Sequence, residues 1–480
     1  MNNGLKSFKI YGLFQSLNVN LKFEEIENIY IGENGIGKTT ILSTIFYSLK
    51  GKFLELSKID FESIQIEFEN NEVFHFSKDD IEQYNIFNKN IRRRYSPRFY
   101  IEFESEFEEK ILYLLHLKDE LSRSEFRSHF AFREIREEIT LRFDFSRVAA
   151  EREIFEYMGK LEFRSNIIYK LEKRLKEFNK SNEILYFPTF RRIEEDLSKL
   201  IAFSSSSSNE EFEIKYRRQK EDDLSNYGEL INFGMVDVEN TIKDLLEKIR
   251  VTSINSFNQM TAILLKQYVS NSVISEPSLK INDININNLK ISLDRVGTEI
   301  EKEYKEKIIE MVDDESIYSK NNSYLLNFIK NLLASHEQLR NIDNKIESFV
   351  NVCNSYLVNK RYEYDASNVT LQIRNTLNGK VIPLTKLSSG EKQIISTFSK
   401  IYLEYEKGYI ILFDEPELSL SIEWQEQFIP DIIGSGNCKQ LICVTHSPFI
   451  FKEDRLFELS KEILDEIEVI NIDDCEIEVI

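Results

Sequence analysis

Residues 28–42 read NIYIGENGIGKTTIL, and this stretch decides the fold. Gly32, Gly37, Lys38 and Thr39 match the pattern G-x-x-x-x-G-K-[ST], a loop whose backbone N–H groups cradle phosphates. The flanks fit as well: Ile29, Tyr30 and Ile31 read as a short buried strand, and residues 41–49 as an apolar helix. Strand, glycine loop and helix N-terminus together direct several N–H groups and a positive dipole end at one point, which suits a polyphosphate. Asn34, Gly35, Gly37, Lys38, Thr39 and Thr40 are the expected nucleotide-binding residues. Lys38 is expected to reach the β- and γ-phosphates and Thr39 to ligate Mg²⁺, while Gly35 and Gly37 allow close backbone approach. Kinases, GTPases, helicases and transporters all carry this loop, so the motif alone does not choose among them.

Further along, GYIILFDEPELSL (408–420) supplies a partner for it. Residues 409–413 are a continuous apolar run, the signature of a parallel strand buried on both faces. The run ends in Asp414, placed to hold Mg²⁺, and Glu415, placed to orient or deprotonate an attacking water. In LSSGEKQIISTFSKIYLEY (387–405), Ser388, Ser389, Gly390 and Glu391 open a helix with Ile394, Ile395, Phe398, Ile401 and Tyr402 on its apolar side. Its N-terminus offers free N–H groups and a hydroxyl as a second phosphate-binding surface, although Ser-Ser-Gly-Glu taken alone is simply a good N-cap. In QLICVTHSPFIF (440–451) another strand ends in Thr445 and His446.

In that order these four elements resemble the ABC-type ATPase head, over about residues 1–77 and 366–460. The resemblance implies an α/β fold, a mixed sheet flanked by helices, with ATP and Mg²⁺ as cofactors. It further implies a head-to-head homodimer or higher homo-oligomer. Nucleotide held by residues 32–40 and Asp414 of one head would be capped by Ser389 and Gly390 of the other, with Ser388 and Glu391 beside them among the expected nucleotide-binding residues. Glu415 would be the catalytic base, His446 the γ-phosphate sensor, and Thr39 with Asp414 the metal ligands. An arginine at Gly390 would then obstruct the opposing head and leave the isolated head able to bind ATP. Most of the chain separates Lys38 from Asp414, and a long helical insertion there looks like the RecF and SMC branch. Within that branch LYFPTFRRIEEDL (185–197) and DEPELSLSIEWQ (414–425) resemble the PtuA and AriA ATPases of the Septu and PARIS anti-phage systems.

The family usually places a glutamine just after the strand EILYF, where this chain has Arg191, Arg192 and Glu194 instead; that departure leaves one metal-side role unassigned. Ser419, Leu420 and Ser421 fall where the family's dimer-crossing loop lies, and the single tryptophan, Trp424, reads as packing.

Composition bounds the rest. The chain has 480 residues, 41% hydrophobic, with 35 Phe and 22 Tyr but only 15 Gly and 7 Pro, a balance that favours long helices. The division expected is an N-terminal lobe of the head over 1–200, a helical arm over 201–365, and a C-terminal lobe over 366–480. Heptad spacing in the arm comes in patches, which fits a short helical hairpin better than a rod. Net charge is −20, so nucleic-acid binding would need local basic patches. IRRRYSPR (91–98) and KYRRQK (215–220) suit contacts to DNA, solvated helix faces or docking to an acidic neighbour. Four cysteines without metal-like spacing and the lack of an apolar leader or spanning segment point to the cytoplasm and away from a membrane. Few residues follow His446, fewer than a Toprim domain needs, so nuclease chemistry is expected from a separate effector protein of HNH or Toprim type. The reading is therefore an ATPase that controls a partner nuclease. A RecF-like repair ATPase acting on DNA, or a nucleotide-sensing scaffold with slow turnover, are the alternatives.

Overall fold

Alternation and continuous apolar runs build twelve strands in the computed structural model, which describes residues 4–33, 35–91, 121–164, 166–188, 235–270, 284–297, 300–319, 322–404, 406–450 and 454–470, with part of 107–118. In chain order the strands are β1 (Leu5–Leu13), β2 (Leu17–Lys22), β3 (Glu27–Ile31), β4 (Ser63–Phe68), β5 (Val73–Ser77), β6 (Asn182–Phe187), β7 (Lys360–Asp365), β8 (Thr370–Asn375), β9 (Gly408–Asp414), β10 (Cys438–Thr445), β11 (Ser460–Glu462) and β12 (Ile467–Val469). The longer helices are α1 (Lys38–Lys50), α2 (Lys78–Ile91), α3 (Phe130–Phe143), α4 (Arg147–Arg164), α5 (Ile167–Ser181), α6 (Met235–Ser270), α7 (Ile286–Arg295), α8 (Lys302–Asp313), α9 (Ser323–Tyr356), α10 (Ser389–Phe398) and α11 (Ile422–Gly434).

Two five-stranded sheets form the head. One is antiparallel, in the order β12-β2-β1-β4-β5, and the other is parallel, in the order β11-β3-β10-β9-β6. Residue parity divides the parallel sheet between two cores, because successive side chains leave a strand on opposite faces. Tyr30, Ile184, Tyr186, Ile410, Leu412, Ile442 and Val444 pack with α1 and the antiparallel sheet. Ile29, Leu185, Phe187, Tyr409, Ile411, Phe413, Leu441 and Cys443 pack with α9, α10 and α11. The sheet is thus covered on both sides, as its unbroken apolar runs require. Helix α1 lies on the first core through Ile41, Leu42, Ile45 and Leu49, all fully buried. Each such side chain contributes about 1.5–3 kcal/mol by leaving water. Gly51, in the left-handed region (φ 68°), ends the helix.

The arm rises from the second core. Helices α6 and α9, of 36 and 34 residues, pack against each other. Their head-side portions join the core through Leu246, Ile249, Leu339, Ile346, Phe349 and Cys353. Farther out, Met260, Leu289, Leu293, Val312, Leu326 and Ile329 make a separate core with α7 and α8. Where the two meet, Arg295 and Asp343 form a buried ion pair at 2.6 Å, with the Tyr364 hydroxyl donating to the same carboxylate. A third small core, rich in phenylalanine, joins α3 and α4 through Phe132, Ile139, Ile154 and Tyr157.

The α/β expectation with a large, mainly helical insertion holds. The boundary expected at 365 falls at the turn between β7 and β8, which pair as one hairpin. Arg191, Arg192, Glu194, the serine run at 204–208, and nearly all of the two basic clusters lie outside the described residues. Among the described residues no helix is long and apolar enough to cross a membrane, and Cys353, Cys438 and Cys443 are free thiols.

Candidate functional site

The parallel sheet brings the P-loop, the acidic strand tip and the histidine strand tip to one edge. β10 lies between β3 and β9, with Thr445 opposite Ile31 and Val444 opposite Asp414. The glycine loop, Asp414–Glu415 and Thr445–His446 therefore leave adjacent strands at their C-terminal ends, where open α/β sheets bind ligands.

Within the loop, Gly35 and Gly37 adopt left-handed conformations, φ 94° and 91°. At Gly37 a side chain is excluded twice over. The φ disfavours L residues, and a Cβ would sit 2.9 Å from the Phe14 ring. Gly37 is the N-cap of α1, and its carbonyl accepts from the Ile41 N–H at 2.9 Å. The preceding N–H groups of the first turn are left to face the loop. Thr40 sits in that first turn, its carbonyl accepting from the Thr44 hydroxyl at 2.7 Å. Asn34 lies outside the described residues.

Lys38 is 5% exposed. Its Nζ donates to the carbonyls of Gly32 (2.8 Å) and Glu33 (2.9 Å), contacts His446 Nε2, and stands 3.8 Å from Glu415 Oε1. Burial lowers the Lys38 pKa, while Glu415, Asp414 and Glu417 draw it back up by their negative charge. His446 Nε2 also lies 3.2 Å from Glu415 Oε1. The Thr39 hydroxyl donates to Asp414 Oδ2 at 2.7 Å, and Asp414 is 1% exposed. One hydroxyl and one carboxylate in contact beside a phosphate cradle fit Mg²⁺, a hard cation that binds through one or two protein oxygens and completes its shell with water and phosphate. A dedicated cage is absent: among the described residues no group of three His, Cys, Asp or Glu side chains is placed to hold a metal.

Glu415 has φ 51°. A non-glycine residue held there costs on the order of 1–3 kcal/mol, and such strain persists only where the surroundings enforce it. The enforcing bond runs from the Glu415 N–H to the Val444 carbonyl, at 2.8 Å.

Ser388, Ser389, Gly390 and Glu391 are placed differently from one another. Ser388 and Ser389 are exposed. Ser388 caps α10 in a reciprocal box with Glu391: its Oγ accepts from the Glu391 N–H at 3.3 Å, and its N–H donates to Glu391 Oε2 at 2.8 Å. Glu391 is buried, and both its oxygens accept from Lys360 Nζ at 2.7 Å, which ties the helix to β7 at the root of the arm. Gly390 is buried too. A Cβ there would stand 2.3 Å from the Ser419 carbonyl oxygen and 3.1 Å from the Trp424 ring. The expected obstruction of an opposing head by an arginine at Gly390 is thus corrected, because the clash falls first inside the same head. Among the described residues no hydrogen bond or ion pair joins these four residues to the P-loop of the same chain.

Several residues of the site escaped the sequence reading. Phe14, 45% exposed at φ 53° in the β1–β2 turn, lies over Gly37. Glu417 and Gln425 bond to the His446 turn, and Gln393 of α10 donates to the Pro416 carbonyl at 2.9 Å. Only the last acid of Asp-Glu-Pro-Glu, Glu417, offered a signal for any of them.

No curated relative matches the chain. Among solved structures it is similar to the Pyrococcus furiosus Smc head domain with an extended coiled coil bound to the C-terminal domain of ScpA, at 11% identity, covering 98% of this chain and 97% of that one, with a TM-score of 0.33. It is also similar to an SmcHead bound to the C-winged helix domain of ScpA, at 9% identity, 93% and 90% coverage and a TM-score of 0.32. The Pyrococcus yayanosii Smc head domain with a coiled coil and joint gives 14% identity, 93% of each chain and a TM-score of 0.26. Likenesses of that size carry no argument about what the chain does. A family model described as "AAA domain, putative AbiEii toxin, Type IV TA system" matches residues 28–452, which span the P-loop, the arm and both later strand tips. With most of its length inside that match, the chain belongs to this AAA-domain family.

Proposed function

We propose that the chain binds and hydrolyses ATP with Mg²⁺, assembles with further copies through its nucleotide sites, and so controls a separate effector protein, a nuclease, in anti-phage defence. One observation carries the reading: Lys38, the Thr39–Asp414 pair, Glu415 and His446 converge where β3, β9 and β10 end. In this reading Lys38 turns from the loop carbonyls to the β- and γ-phosphates. Glu415 accepts a proton from the attacking water, and His446 orients the γ-phosphate. Thr39 and Asp414 would hold Mg²⁺, which would neutralise phosphate charge. The exposed Ser388 and Ser389 at the start of α10, remote in bonding from their own P-loop, support a cap donated to a second copy's nucleotide. The family's description as a putative toxin favours a second reading, in which the chain is itself the toxic component and nucleotide turnover sets its release.

Glu415→Gln separates binding from turnover. Loss of a general base costs about 10²–10⁴-fold in rate, while Lys38 and the Thr39–Asp414 pair remain. The variant is expected to bind ATP, hydrolyse it at least a hundredfold more slowly, and elute on size exclusion as a larger species only with ATP. Wild-type turnover by this variant, or no change of size with ATP, overturns the assignment.

A further inference from the structure

The parallel ladder ends at Thr445, paired with Ile31 on one side, while Val444 pairs with Asp414 on the other. His446 is therefore the first residue the sheet no longer holds, yet its ring must meet Lys38 and Glu415. Its backbone N–H donates to Glu417 Oε1 at 2.7 Å, a charge-assisted bond that crosses from the turn after β9 to the turn after β10. The next residue is held from the same direction. Ser447 Oγ donates to Gln425 Oε1 at 2.5 Å, and Gln425 Nε2 donates to the carbonyls of Leu420 (3.0 Å) and Glu417 (3.4 Å). Gln425 is buried on α11, a rigid element of the second core. Two adjacent residues of the histidine turn are thus held from the side of β9, His446 by Glu417, two residues beyond the strained Glu415, and Ser447 by Gln425 of α11.

We propose that Glu417 is a positioning residue: its carboxylate clamps the His446 N–H, while Gln425 holds the Glu417 main-chain carbonyl and Ser447, and the imidazole is so set against Lys38 and Glu415. In this role Glu417 acts through the backbone of His446, to which its Oε1 is bonded. An acceptor oxygen is what the clamp needs. A glutamine, which keeps a carbonyl oxygen at the same reach, should preserve it, and an alanine should release it. Release lets the turn drift, and displacements of about 1 Å in a catalytic group cost on the order of a hundredfold in rate.

The clamp can be read without turnover. The chain has five histidines, so full-length protein labelled with ¹⁵N only in histidine gives five backbone amide signals. The signal lost in His446→Asn identifies residue 446. In Glu417→Ala that signal is expected to move upfield and its solvent exchange to quicken at least about tenfold, since its bond is gone. In Glu417→Gln it stays near its wild-type position. An unmoved signal in Glu417→Ala overturns the clamp.

The rate measurement rests on the ATPase reading given above. Glu417→Ala should lower kcat about tenfold to a hundredfold with KM for ATP little changed, Glu417→Gln should restore most of the rate, and Glu417→Ala added to His446→Ala should cost nothing more. A glutamine variant as slow as the alanine, or losses that multiply with those of His446→Ala, would assign Glu417 a direct charge role and overturn the proposal. A wild-type chain that does not hydrolyse ATP defeats the ATPase reading alone, and the amide signal still decides the clamp.

Discussion

Gly390→Ala adds one methyl group where the head has no room for it. The new Cβ would stand 2.3 Å from the Ser419 carbonyl oxygen and 3.1 Å from Trp424 Cζ3. The nearer neighbour is backbone, in a turn already strained by Ser419 at φ 70° and pinned by the bond from Gln393 to the Pro416 carbonyl. Neither side can yield by a rotamer change, so α10 and the 416–419 turn must separate by about an ångström, at the cost of about 1–3 kcal/mol typical of overpacking. At about 2–4 °C per kcal/mol for a large domain, Tm should fall by about 2–12 °C. Gly434 is the control. It lies in the helix that follows the same turn, has nothing within 4 Å of its Cβ position, and has no positive φ. Gly434→Ala should hold or raise Tm, since alanine is the better helix former by up to about 1 kcal/mol. Thermal melts of the three proteins test stability, and ATP turnover in the same samples tests the site, because the shifted turn leads directly into Glu415. Turnover should fall further than ATP binding, because Lys38 is held by its own loop carbonyls and not by the 416–419 turn. A Gly390→Ala protein that melts and turns over like wild type would refute both the packing argument and the link between α10 and the acidic turn.

Two further changes probe charges. Lys38→Ala should weaken ATP binding about tenfold to a hundredfold by calorimetry, the scale of a lost charge-assisted contact of about 1.5–3 kcal/mol; unchanged affinity would remove the P-loop assignment. Lys360→Met should destabilise the head by about 1–3 kcal/mol, because it leaves the buried Glu391 carboxylate without its cation. Burial alone would raise the Glu391 pKa, but the bonds from Lys360 and the Ser388 N–H outweigh it and hold the carboxyl below the usual range. A carboxyl so depressed contributes stability above its unfolded value and loses it as pH falls through the folded one, so wild-type stability should drop on acidification below about pH 4.5, and Lys360→Met should flatten that slope in denaturant titrations.

The sequence by itself determined the local elements and the chemical inventory of the site. Residues 28–42 specify a strand, a glycine loop and a helix because loop chemistry and periodicity are encoded by neighbours in the chain, and residues 409–413 specify a strand buried on both faces for the same reason. Asp414, Glu415, Thr445 and His446 were legible because they stand at the ends of such runs. Tertiary structure alone decided which of these ends meet. The Thr39–Asp414 bond and the Lys38–His446 contact join residues far apart in sequence, and they exist because β10 inserts between β3 and β9. Strand order follows from how two cores are filled, which no local pattern records. The same holds for Gly390, which reads as an open N-terminal glycine and is instead packed against the Ser419 carbonyl. Phe14 lies over Gly37 only because the antiparallel sheet stacks on α1, and Glu417 reaches His446 only because the turns after β9 and β10 leave the sheet side by side. The direction of a side chain in a turn has no period to read; it is set by whatever the fold brings within hydrogen-bonding reach.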